Sequence, residues 1–195
     1  LAEAGSLNVA RALLFAKADV NAEDHGGGRA LAEAENVDMA RALLFAKADV
    51  NAEDLRGRRA LVHARNLNVA RALLFAKADV NAEDHDGRRA LAEFSLSGSS
   101  DMVEALIQAK ADVNAKDHGG RTALIFASQF NHLNVTRELL AAKAFLRFVD
   151  SYNKSALDYA LSSDNKELIR LLRDASEKRS SSSGSEGGGD KKRSR

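Results

Sequence analysis

Apolar residues along this chain recur in short bursts rather than one continuous run. Val9, Leu13 and Leu14 reappear as Met39, Leu43 and Leu44, then as Val69, Leu73 and Leu74, then as Met102, Leu106 and Ile107. A spacing of i, i+4 and i+5 forms one stripe of an α-helix. Ser6, Asn36, Asn66 and Ser99 stand just ahead of it, where an N-cap side chain bonds free amides. A shorter Ala/Leu segment precedes each stripe, and a polar break divides the two. Polar turns containing Gly27, Gly57, Gly87 and Gly120 separate the units, because residues without a Cβ enter such turns freely. The predicted unit is turn, helix, helix, turn.

The units repeat in phase. The stretch "ARALLFAKADVNAED" stands verbatim at 10–24, 40–54 and 70–84, and its closing Asp recurs as Asp24, Asp54, Asp84, Asp117 and Asp150, spaced 30, 30, 33 and 33 residues apart. One unit cannot bury its stripe alone, so neighbours must stack into a solenoid. The array divides into 1–23 (partial), 24–53, 54–83, 84–116, 117–149 and a cap at 150–176. In the cap, charges interleave the apolar positions of "DNKELIRLLRDASEK". The 30-residue units lack three residues between their helices, so the first helix loses most of a turn, and 29–48 also reads as one uninterrupted helix. From Glu177 to Arg195 the chain is Ser, Gly and charge without an apolar residue, which predicts a disordered tail.

Composition narrows the chemistry. The chain is 45% hydrophobic but only 5% aromatic, with no Trp, which suits thin helical layers. There is no Cys, which excludes disulfides, thiolate nucleophiles and Cys-based metal sites. A net charge of +1, from 29 basic and 28 acidic residues, lacks the excess a nucleic-acid binder carries. No apolar run reaches the roughly 20 residues of a membrane span. The chain starts at Leu1, without Met and inside a repeat, and so reads as part of something longer.

At "DHGGRTALIFASQFNHLNVTRELLAAKA" (117–144) the pattern resembles the ankyrin repeat, and 1–176 follows it. Asp117, Gly120, Thr122, Leu124, Ala127, His132, Leu139 and Leu140 fall in register with that family's motif. Its A-D-V-N signature stands at 18–21, 48–51, 78–81 and 111–114. A tetratricopeptide array has no such polar finger. The resemblance implies an all-α, ankyrin-type helix-turn-helix solenoid with short finger turns, of about five to six repeats including the truncated first one. The departures are regular. The motif Pro is Ala at 30, 60, 90, 123 and 156, and the motif His is Ala32, Val62, Ala92, Ile125 and Asp158. Lys17, Lys47, Lys77, Lys110 and Lys143 occupy the place of the Gly after the second helix, where a left-handed backbone costs roughly 1 kcal/mol each.

The resemblance places partner binding on the concave fingers and first-helix face. The varying tip residues are His25, Leu55, Arg56, His85, Asp86, His118 and Tyr152. A cation column, Arg58, Arg88, Arg121 and Lys154, sits at one finger position. It suits an acidic or extended peptide, unless Glu23, Glu53 and Glu83 neutralise it. The histidines share a repeat position, but ligands about 10 Å apart cannot share an ion whose Zn–N bonds are about 2.0–2.1 Å. "AEDHDGRRALAE" imitates a calcium loop through Asp84, Asp86, Gly87 and Glu93, yet begins on Ala82. Phe15, Phe45 and Phe75 follow the Leu pairs at a place the family fills with exposed polar residues. They form either an apolar convex strip for a partner or self-association, or rings folded over Arg11, Arg41 and Arg71. The folded arrangement is preferred.

No catalytic, cofactor or metal-binding motif is found. The expected function is non-catalytic protein–protein interaction, as a scaffold or targeting module, in an intracellular and cytoplasmic setting. Its partner is another protein, with no nucleic acid and no membrane span. The alternative is a regulatory or substrate-recruiting region of a larger enzyme.

Overall fold

The computed structural model describes residues 2–183. Its helices, in chain order, are α1 (Ala2–Phe15), α2 (Val37–Phe45), α3 (Leu67–Phe75), α4 (Ala90–Ser97), α5 (Ser100–Gln108), α6 (Ala123–Gln129), α7 (Leu133–Ala141), α8 (Ala156–Ser162) and α9 (Lys166–Ser183). They form two layers. The second helices stack in the order α1, α2, α3, α5, α7, α9, and the first helices stack as α4, α6, α8. The stripe is the glue of the longer layer: Leu43, Leu73, Leu106 and Leu139 are all buried. Burying a Leu contributes roughly 1.5–3 kcal/mol, so a few such contacts per unit offset the ordering of its short helices.

The first layer does not extend over 24–83. There each first helix is replaced by a single turn. The amides of Ala32 and Ala34 bond the carbonyls of Arg29 and Leu31, and those of Val62, His63 and Ala64 bond Arg59, Ala60 and Leu61. These are i→i−3 bonds, the tight connector geometry. The expected pair of helices per unit therefore fails in these two units, and 29–48 is not one helix either. Asn36 is extended (φ −138, ψ 166) and breaks it. A helical turn takes 3.6 residues, so three missing residues remove the turn that a capped stop would need.

Asn36 and Asn66 cap as expected, accepting from the amides of Met39 and Val69 at 3.0 Å each. Ser99 holds the N-cap place of α5 without a side-chain bond. Ser6 lies inside α1 rather than ahead of it, because the Ala-Glu-Ala stretch before it favours helix. The five lysines after the second helices are left-handed, with φ of 60° at Lys17 and 66–70° at the others. In all five the turn is closed by the next amide, Ala18, Ala48, Ala78, Ala111 and Ala144 donating to Leu13, Leu43, Leu73, Leu106 and Leu139 at 2.9–3.0 Å. At the other end, α9 continues to Ser183, past Glu177 where a disordered tail is expected. A helix nucleated on buried Leu168 and Leu172 extends at the cost of propagation only. The rest of that expected tail, 184–195, lies outside the described residues.

Candidate functional site

Each finger is organised by its Asp. Asp54 Oδ1 accepts from the amides of Arg56 (2.8 Å) and Arg58 (2.9 Å), and Asp84 Oδ1 from those of Asp86 (2.9 Å) and Arg88 (2.8 Å). Asp24, Asp117 and Asp150 close their turns in the same way. Successive fingers then zip together along the backbone. Leu55 N donates to Gly26 O at 3.1 Å, His85 N to Arg56 O at 2.9 Å, His118 N to Asp86 O at 2.9 Å, and Ser151 N to Gly119 O at 2.8 Å. Glycine is needed in these turns for two reasons. Gly57 and Gly87 have φ of +74° and +72°, and a Cβ there would lie 2.6 Å from His85 Cδ2 and 2.5 Å from His118 Cδ2.

A second ladder ties the units just behind the tips. The Asn21, Asn51, Asn81 and Asn114 side chains accept from the amides of Asp49, Asp79, Asp112 and Phe145 at 2.7–2.8 Å. The first three also donate to the carbonyls of Lys47, Lys77 and Lys110 at 3.3–3.4 Å. Arg29, Arg59 and Arg89 add a staple: each donates through Nε to the carbonyl of Asn21, Asn51 or Asn81 and pairs with Glu23, Glu53 or Glu83. Arg29 and Arg59 also reach the Glu53 and Glu83 carbonyls in the next unit. Neither ladder was singled out in the sequence, although Asn recurring in every A-D-V-N was the available signal.

The cation column is neutralised by other partners than expected. Glu23, Glu53 and Glu83 go to the staple. Arg58 instead pairs with Asp54 (2.8 Å) and Arg121 with Asp117 (2.9 Å), each inside its own turn. Arg88 spans Asp86 (3.3 Å) and Glu93 (3.2 Å). In the stretch that imitates a calcium loop, the Arg88 guanidinium thus holds Asp86 and Glu93, and Asp84 accepts from backbone amides. Lys154 lies over the Tyr159 ring at 5.4 Å. The exposed tip residues are therefore His25, Leu55, Arg56, His85, Asp86, His118 and Tyr152, with Leu55 and Tyr152 at 68% and 78% exposure. His25, His85 and His118 each sit on a separate tip. Among the described residues no three His, Cys, Asp or Glu side chains gather as a metal ion requires.

Burial acts to raise the Asp54 carboxyl, but the Arg58 and Arg56 amides and the Arg58 guanidinium outweigh it and hold it below the ordinary value. Asp150 is likewise held down against burial, by the Tyr159 hydroxyl (2.6 Å) and the Lys154 and Tyr152 amides. The same hydrogen bond pushes Tyr159 up to about 12. Hydrogen bonds from the Ser155 hydroxyl and amide hold Asp158 down, and the two residues form a capping box on α8. These groups are fixed in turns and a helix cap, which is structural work.

Phe15, Phe45 and Phe75 are 93%, 90% and 90% exposed, so the rings do not fold over Arg11, Arg41 and Arg71 as preferred from the sequence. Each Phe ends its helix, and ring and Arg stand as walls of grooves between neighbouring helices. One groove, of about 880 Å³, lies between α2 and α3, with Leu44 and Ala72 in its lining. Another, of about 710 Å³, lies between α1 and α2.

A family model described as ankyrin repeats, three copies, matches residues 29–117 and 90–181. The chain belongs to the ankyrin-repeat family. No curated protein matched it. Ankyrin repeats are generally protein–protein interaction modules and typically non-catalytic. No helix among the described residues is long and apolar enough to cross a membrane. In this ankyrin array the family's Thr position is Arg29, Arg59 and Arg89 in three units, which turns a cap into a staple. Thr122 keeps the family role, accepting from the Ile125 amide at 3.4 Å.

Proposed function

We propose that the array binds a protein partner through its concave finger face, as a non-catalytic scaffold or targeting module. One observation carries this reading: exposed, non-identical tips stand on a hydrogen-bonded ladder that is itself nearly invariant. The first tip place holds His25, Leu55, His85, His118 and Ser151 and the second holds Gly26, Arg56, Asp86, Gly119 and Tyr152, while Asp24, Asp54, Asp84, Asp117 and Asp150 close their turns. A rigid rack of differing side chains lowers the ordering cost of association. The paired state of Arg58, Arg88 and Arg121 favours recognition by the tips, with Arg56 as the cation free of an ion pair among the described residues and Lys154 at the end of the column.

Reversing the paired arginines would break the turns themselves, so the test uses the tips. The triple variant Leu55→Ser, His85→Ala and Tyr152→Ala should melt like the parent yet lose the partner captured by cross-linking. Unchanged capture by the variant would reject the concave-face reading.

A further inference from the structure

The solvent side of the second layer carries a surface that concave-face binding does not use. Phe15, Phe45 and Phe75 project from the ends of α1, α2 and α3, with exposed Arg11, Arg41 and Arg71 one turn behind. Lys17, Lys47 and Lys77 follow each ring by two residues and are exposed too. These six cations have no ion-pair partner among the described residues, while Arg29, Arg58, Arg59, Arg88, Arg89 and Arg121 on the fingers all do. One acid, Asp38, shares the groove of Arg41. Asp19, Asp49 and Asp79, two residues past each Lys, are exposed as well, and each accepts from the amide of Asn21, Asn51 or Asn81 at 2.9 Å.

Repetition decides the kind of partner. The three helices present the same ring, the same Arg and the same Lys at each step, so the strip cannot discriminate one partner sequence from another. It fits a target that is uniform along its length, negatively charged and able to take in rings. A second copy of the strip would oppose Arg and Lys with Arg and Lys, which is a like-charge clash. A nucleic-acid duplex offers phosphates but no apolar layer for the rings. Aromatic rings beside cations on a helical face are what an interfacial lipid contact requires. We propose that the α1–α3 face docks peripherally on an anionic phospholipid bilayer, with the three rings at the acyl boundary and the six cations among the headgroups.

The test is sedimentation of the full chain with phosphatidylcholine vesicles and with vesicles also holding about 30% phosphatidylserine, a surface charge that attracts nearby Lys and Arg. Binding is expected to the anionic vesicles only and to weaken with added salt. Arg11→Glu, Arg41→Glu and Arg71→Glu together should lower the partition coefficient roughly a hundredfold. Phe15→Ser, Phe45→Ser and Phe75→Ser together should lower it roughly tenfold or more. All six positions are exposed, so unchanged melting of both variants serves as the folding control, and no finger residue is altered. Equal binding to neutral vesicles, no binding, or variants that bind like the parent would overturn the proposal. So would a concentration-dependent dimer lost in the Phe variant, or equal Phe-dependent binding of poly-glutamate.

Discussion

Residues 24–83 and 84–162 share the same buried stripe and the same Asn latch, yet only the second region has a first layer of helices. In the second, Ala123–Ser128 are all buried and Phe94 and Phe126 thicken the core. In the first, the corresponding contacts shrink to Leu31 with Ala34 and Leu61 with Ala64, held by i→i−3 turns. Stacking therefore depends on the second layer and the polar ladders. The first layer adds thickness, and with it resistance to opening.

The largest test of that contrast is a matched truncation. Leu124→Ala, at a site 1% exposed within α6, should cost about 2–5 kcal/mol in urea unfolding. Leu61→Ala, at 2% exposed, should fall at or below the lower end of that range, because a single turn collapses onto the void more readily than a helix does. Equal losses would show that the two regions resist opening alike.

A smaller effect separates staple from cap. Arg59→Ala removes donors to Asn51 O (3.1 Å) and Glu83 O (3.4 Å) and the Glu53 ion pair, a loss of roughly 1–2 kcal/mol. Thr122→Ala removes one long cap bond and should cost about 1 kcal/mol or less. A thermal-melting series in which Thr122 matters more would mean that the arginines are incidental.

The smallest effect is in pH. Asp54 and Asp150 are both held below 3.8, so the stability they give is present above that value and is lost as pH falls through their folded values. Only the second region has an alkaline limit as well. Tyr159, raised from 10.0 to about 12, contributes stability that is complete below pH 10 and is lost as pH rises towards 12. An absorbance titration should show a tyrosinate step near pH 12 that disappears in Tyr159→Phe. If the step persists in that variant, the assignment is wrong.

Much of this architecture was legible in the chain. The stripe, the turn glycines and the left-handed lysines were all set by local rules of period and φ. The lost first layer was not, because "RALAEAEN" is Ala-rich enough to satisfy a helical pattern while being too short to close and cap one. Nor could spacing decide which of two adjacent arginines meets Glu53. In an extended segment neighbours face opposite sides, so Arg58 folds into its own turn and Arg59 crosses the antiparallel bridge to Glu53. The Phe column misled for a related reason. A four-residue separation brings Arg and Phe together within a helix, but each of these rings stands at the helix end, against the groove to the next unit.

The Asn latch also has a consequence for how the chain finds its order. Asn21 is received by the segment around Asp49, and an identical segment surrounds Asp79. A collapsing chain therefore meets interchangeable sockets, and a unit docked one place out of line satisfies the same hydrogen bonds. One place is told apart by the tip lying on its turn glycine: Leu55 lies on Gly27, where His85 lies on Gly57 and His118 on Gly87. The single odd letter in that column thus acts as a page number.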